Sequence, residues 1–151
     1  MVGTSGKAVQ DGKDFYKFLF SVHPQLKKHF FGTEDATDAD IQDNKRFEKQ
    51  GQRLLMAVHV LASSIDNSDA FAAYAREIVN KHIEHELSPS LWGVFFGVFA
   101  LFLKNKGQLA PGEGEAWVTM GQRFDDIAQD HLQKLGLPTF KRFVAMPKKK
   151  K

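Results

Sequence analysis

The chain contains no cysteine. That excludes disulfide frameworks, zinc–thiolate centres, iron–sulfur clusters and thiol nucleophiles, and it suits a reducing compartment, so the cytoplasm is the expected location. Long apolar runs are missing too. The longest, Gly93 to Leu103, is too short to span a bilayer. The start shows no apolar segment behind a basic one, so neither stable membrane insertion nor a secretory leader is expected. Strand signals are equally scarce, with no convincing apolar–polar alternation and no Asn-Gly hairpin. A dominant charge is absent as well. The net charge is +3, but Lys148 to Lys151 supply four of the positive charges, which leaves a near-neutral body with no footprint for nucleic acid.

What the chain has in excess is phenylalanine, fourteen residues against two Tyr and two Trp. Flat rings suit a dry slot for a flat ligand, and they fill ordinary cores equally well. A length of 151 residues gives room for one domain with a real core and hardly for two. We therefore expect a domain over 1–136 and a basic, solvated tail over 137–151. The tail, Phe140-Lys141-Arg142-Phe143 through Pro147 and four Lys, also has the composition of a membrane-surface or nuclear-import segment.

Helical periodicity dominates what remains. Apolar residues recur at steps of three and four from about Lys7 to Val22, where Pro24 ends the pattern and starts a short turn reaching Phe30-Phe31-Gly32. Thr37-Asp38-Ala39-Asp40 reads as a local helix start inside a polar connection. The clearest helix runs from about Asn44 to Ile65, with Phe47, Gln50, Leu54, Val58 and Leu61 on one stripe. Gln50 is an amide inside that apolar stripe. A further helix carries Phe71, Tyr74, Ile78 and His82 on one face. Ser88-Pro89 reads as a cap and first-turn proline opening an apolar helix to Leu103. The last helix runs over roughly Glu115 to Leu135, with Trp117, Met120, Phe124, Ile127, His131 and Leu135 turned inward. The expectation is all-α: five substantial helices and one or two short ones.

Three local patterns stand out together. They are Phe15-Tyr16 followed by His23-Pro24 and Phe30; Lys49-Gln50-Gly51-Gln52-Arg53-Leu54-Leu55; and Tyr74-Ala75-Arg76-Glu77 leading to Asn80-Lys81-His82 and Ser88-Pro89-Ser90-Leu91-Trp92. In order and spacing the sequence resembles the globin family, in particular nematode globins, over roughly Lys7 to Leu135. The resemblance implies a globin fold around haem b (iron protoporphyrin IX). It also implies reversible binding of dioxygen, with carbon monoxide and nitric oxide as further ligands, by a monomer or homodimer that is a carrier and not an enzyme.

Residue by residue, the resemblance implies His82 as the iron ligand and Tyr16 and Gln50 as donors to the bound gas. Phe30 becomes the ring wedged on the porphyrin, and Leu54 lines the distal side. Ile78 and Phe96 are candidate walls. Arg53 and Lys81 are candidate propionate partners. The residues alone leave alternatives: a lone imidazole on an apolar face is commonly a satisfied core group, and Arg53 and Lys81 read equally as surface charge. His85, one turn beyond His82, is a competing ligand or rim residue. His23, His29, His59 and His131 read as structural or surface residues. His82, Glu84, His85 and Glu86 do not follow the His-Glu-x-x-His order of a zinc helix.

Only fifteen residues precede Tyr16, room for the family's second helix but not its first. The first helix is therefore expected to be missing, as a shortened gene model would also produce, with Trp117 or Phe124 left partly exposed. Two rival functions share the pocket: a nitric oxide dioxygenase or peroxidase, and a sensory module without an oxygen-carrying role.

Overall fold

The structure, a computed structural model, describes residues 5–30 and 35–140. Among these the chain is helical throughout, with no strand. In order, α1 spans Gly6–Val22, a 3₁₀ turn Pro24–His29, α2 Asp38–Asp43, α3 Lys45–Ser63, α4 Ser68–His82, a 3₁₀ turn Ile83–His85, α5 Leu91–Asn105 and α6 Glu113–Lys134. No helix among the described residues is long and apolar enough to cross a membrane. The expected end of the first short turn at Phe31-Gly32 and the Lys-rich tail from Lys141 onward lie outside the described residues.

Side-chain caps explain most of the starts. The Ser5 hydroxyl accepts from the Ala8 amide at 3.1 Å, and Asn67 does the same for Ala70 at 3.0 Å. Thr37 and Asp40 cap each other reciprocally at the head of α2, as their spacing predicts. The expected start of α5 is corrected. Ser88 does not cap it; its carbonyl accepts from Leu91 at 3.0 Å in a preceding turn, and the helix opens at Leu91. Leu135 is corrected as well. It lies just past the last turn of α6, 47% exposed, where the chain has already left the core. Trp117 is half-buried as expected, whereas Phe124 is buried, packed against Phe96 and Trp92.

Three helix pairs carry the packing: α1 crosses α3, α5 lies on α6, and α4 lies on α6. The first crossing is backbone against backbone. A Cβ placed on Gly12 would meet Gly51 backbone atoms at 2.7 Å, and one on Gly51 would meet Gly12 at the same distance. On α6, Gly121 makes room for Phe96 in the same way, with a virtual Cβ at 2.6 Å from the Phe96 Cβ. Phe15, Phe47, Phe71 and Phe96 are almost fully enclosed. Each contributes about 1.5–3 kcal/mol relative to exposure.

The core falls into two clusters. One gathers α1, α3 and α5 around Phe15, Tyr16, Phe47 and Phe99; the other gathers α4, α5 and α6 around Phe71, Phe96, Met120 and Phe124. Phe95 and Trp117 touch both. By contrast, α3 and α4 meet each other only slightly.

Candidate functional site

The two poorly joined helices each show the same pattern of burial. On α3, Phe47, Gly51, Leu55 and Val58 are buried, while the neighbouring line of Arg46, Gln50 and Leu54 is half-buried. On α4, Phe71, Ala75 and Val79 are buried, and the neighbouring line of Tyr74, Ile78 and His82 is half-buried. A helix normally buries one stripe and leaves the rest to water. Here a second line on each is half-buried, and its apolar members pack on opposite clusters, Leu54 on the first and Tyr74 and Ile78 on the second, so we read the space between α3 and α4 as the candidate crevice.

His82 closes α4. Its Nδ1–H donates to the Ile78 carbonyl at 2.7 Å, one turn back on its own helix. That bond fixes the ring's tautomer and leaves Nε2 as a bare lone pair, the form a metal requires. Burial holds the imidazole below the ordinary histidine range; the Ile78 bond opposes this, and the nearby charges of His85 and Lys81 add to it. Trp92 meets the imidazole edge-on, with ring centres 5.4 Å apart and planes at 87°. His85 is exposed and lies 3.8 Å from Glu84. Among the described residues no three His, Asp or Glu side chains converge as a metal site would need.

Across the crevice, Tyr16 is 5% exposed and ringed edge-on by Phe15, Phe30 and Phe47. Burial pushes its phenol well above the usual tyrosine range, against a small opposing pull from Arg46, so it is a hydrogen-bond donor at any ordinary pH. No side chain or carbonyl among the described residues bonds that hydroxyl. Among the described residues the one fully enclosed side-chain oxygen or nitrogen without a partner is Asp11 Oδ2, so the unbonded Tyr16 oxygen is not sealed in packed protein. The Gln50 amide also has no bonding partner among the described residues, and it sits one residue before the Gly51 crossing. Tyr16 and Gln50 thus stand on the two helices that this crossing joins.

Phe30 is half-buried against Tyr16, Phe20 and Phe47, with the Arg46 guanidinium 5.7 Å over its ring. Leu54 packs on the first cluster and Ile78 on the second. The remaining expected residues stand apart. Phe96 is 2% exposed, pressed on α6; its neighbour Phe95 is half-buried and touches both clusters. Arg53 is exposed, and Lys81 is exposed and paired with Glu77 at 3.8 Å. Of the other imidazoles, His23 caps α1 beside Gln25, His59 is exposed, and His131 bonds Asn80 at 2.7 Å. Sequence reasoning missed Phe95, Trp92 and the Gly12–Gly51 crossing. The available signal for the last was a glycine directly after Gln50 in an otherwise strong helix.

The chemistry of these groups is coherent. One face offers a neutral nitrogen lone pair on a stiff helix; the other offers two unpaired donors in a dry, aromatic setting. A flat, apolar, metal-centred ligand with a small polar molecule on its far side fits both.

Comparison with known proteins agrees. The family model described as "Globin" matches residues 13–128. The chain is 44% identical to a myoglobin of Nippostrongylus brasiliensis over 89% of its length and 88% of that protein's. It is 41% identical to a myoglobin of Ascaris suum, over 90% of each chain. It superposes on a solved structure of a Caenorhabditis elegans globin-like protein with a TM-score of 0.89 at 38% identity, covering 93% of this chain and 89% of that one.

Proposed function

We propose, from the premise that this chain belongs to the globin family, that it is a haem protein binding dioxygen reversibly for storage, transport or scavenging. The family implies haem; the myoglobin names of its nematode relatives support oxygen as the ligand. We assign the prosthetic group as haem b. The observation that carries this reading is His82. Its Nδ1–H is satisfied by the Ile78 carbonyl, and its Nε2 is neutral and free to coordinate. Phe30, Leu54, Ile78 and Phe95 would enclose the ring. Phe95 takes the wall position that the sequence suggested for Phe96, which is turned onto α6. Arg53 and Lys81, both exposed, would reach propionates only at the rim.

Ferrous haem supplies reversible coordination of small gases, with negative charge developing on dioxygen and much less on carbon monoxide. The chain supplies discrimination. Tyr16 donates from a phenol that burial keeps protonated, and Gln50 donates from its amide. In a low-dielectric crevice each hydrogen bond contributes about 1 kcal/mol net, which corresponds to roughly a fivefold slower dissociation. Tyr16→Phe and Gln50→Leu are each expected to raise the dioxygen off-rate about fivefold, while carbon monoxide dissociation changes little. Stopped-flow displacement of dioxygen measures this; unchanged rates in both variants would remove the two side chains from the mechanism.

A further inference from the structure

The helix that carries His82 is held by few directional contacts. Its buried line of Phe71, Ala75 and Val79 packs on α6, but apolar packing alone permits sliding and rolling. Among the described residues, α4 makes two side-chain hydrogen bonds to another helix. At its start Arg123 of α6 donates to Ser68 Oγ at 3.0 Å, and also to the Ile65 carbonyl at 2.8 Å in the preceding turn. Near its end His131 Nε2 of α6 pairs with Asn80 Oδ1 at 2.7 Å. Asn80 is two residues before His82, on the helix face away from the crevice. Past His82 the chain tightens into the 3₁₀ turn Ile83–His85 and reverses at Glu86, which holds a left-handed φ of 50°. Among the described residues the last turn of α4 therefore has no other side-chain hydrogen bond to another helix; its remaining contacts are the apolar packing of Val79 and the Trp92 ring against His82.

We propose that His131 is a positioning residue for the proximal imidazole. Its ring, fixed on the rigid α6, holds Asn80 and so sets the height and roll of the last turn of α4, and with it the direction of His82 Nε2. The inference rests on the haem reading above. Two further contacts act on the same imidazole: the Ile78 carbonyl sets its rotation from within α4, and Trp92 buttresses one side from α5. The His131–Asn80 pair differs from both in fixing the helix and not the ring. Imidazole serves here because Nε2–H projects at the reach of a long side chain with only two torsions to order. Glutamine presents an amide N–H at similar reach, so it is the conservative replacement.

The test uses the full chain, with and without added haem, in four variants: His131→Leu, His131→Gln, Asn80→Leu and the double leucine variant. In the ferrous protein, resonance Raman reads the iron–imidazole stretching band, which responds to the proximal helix and not to global stability. His131→Leu and Asn80→Leu are expected to shift or broaden this band and to speed haem loss about fivefold, with the double variant no worse than either. His131→Gln is expected to restore the band. In the haem-free chain, hydrogen exchange at residues 79–82 is expected to accelerate in the leucine variants while α6 amides stay protected. A band unmoved in both leucine variants, additive effects in the double variant, or unchanged exchange over 79–82 would overturn the proposal. If the unmodified chain takes up no haem, the functional reading fails instead, and the exchange experiment still decides whether the pair tethers α4.

Discussion

Replacing His82 by alanine is expected to leave a folded helical chain that has lost the residue that would hold the haem iron. The imidazole is half-buried at the end of α4, so its loss removes little core volume, and far-ultraviolet circular dichroism should be retained. The large effect falls on the ligand. The one other imidazole beside that place among the described residues is His85, 6.0 Å from His82 ring to ring but exposed and next to Glu84 on the 3₁₀ turn, and Tyr16 belongs to the other cluster. The crevice would keep its apolar attraction for a flat ring and lose the bond that orients it. Haem dissociation is expected to rise by at least two orders of magnitude, about 3 kcal/mol or more. Free imidazole at millimolar concentration should restore much of the parent spectrum by entering the vacated place. Transfer of haem to an excess of an apoprotein acceptor, followed at the Soret band, measures the rate. A variant that binds haem and gas as the parent does would show that another residue is the ligand.

The second large effect concerns the crossing that builds the distal side. Gly12 and Gly51 approach so closely that a Cβ on either meets backbone, which cannot rotate away. Gly12→Val should force α1 and α3 apart and cost about 3 kcal/mol, the upper end for overpacking a core. That is a large share of the roughly 5–15 kcal/mol by which domains are stable. Gly97 provides the control, because it is an exposed helical glycine with nothing within 4 Å of its virtual Cβ. Gly97→Ala should stabilise by about 0.5–1 kcal/mol through helix propensity alone. Urea denaturation of both variants reads the difference. Because Tyr16 and Gln50 sit on the two helices that the crossing joins, surviving Gly12→Val protein should also release dioxygen faster. An undiminished midpoint for Gly12→Val would show that the crossing is softer than its distances imply.

Much of this was legible in one dimension, for identifiable reasons. Helix identity followed from apolar spacing, and the start of α2 from Thr37 and Asp40, because caps are local chemistry. His82 could be singled out because its phase with Tyr74 and Ile78 is a property of a single helix. What one helix cannot show is how helices roll against each other. Phe95 and Phe96 are adjacent, about 100° apart around α5. That Phe96 presses onto α6 while Phe95 touches both clusters depends on Gly121, twenty-five residues further on, where a Cβ would meet the Phe96 Cβ. The Gly12–Gly51 pair is likewise a relation between two helices, and neither glycine announces the other. The start of α5 was missed because Ser88-Pro89 suits a turn as well as a cap.

The most direct test is a haem titration of the unmodified chain, read by visible absorption after reduction and then under carbon monoxide. The account predicts saturation at one haem per chain, a five-coordinate ferrous spectrum, and a sharp Soret shift that reverses when the gas is removed. A spectrum indistinguishable from free haem in buffer at every ratio would contradict it.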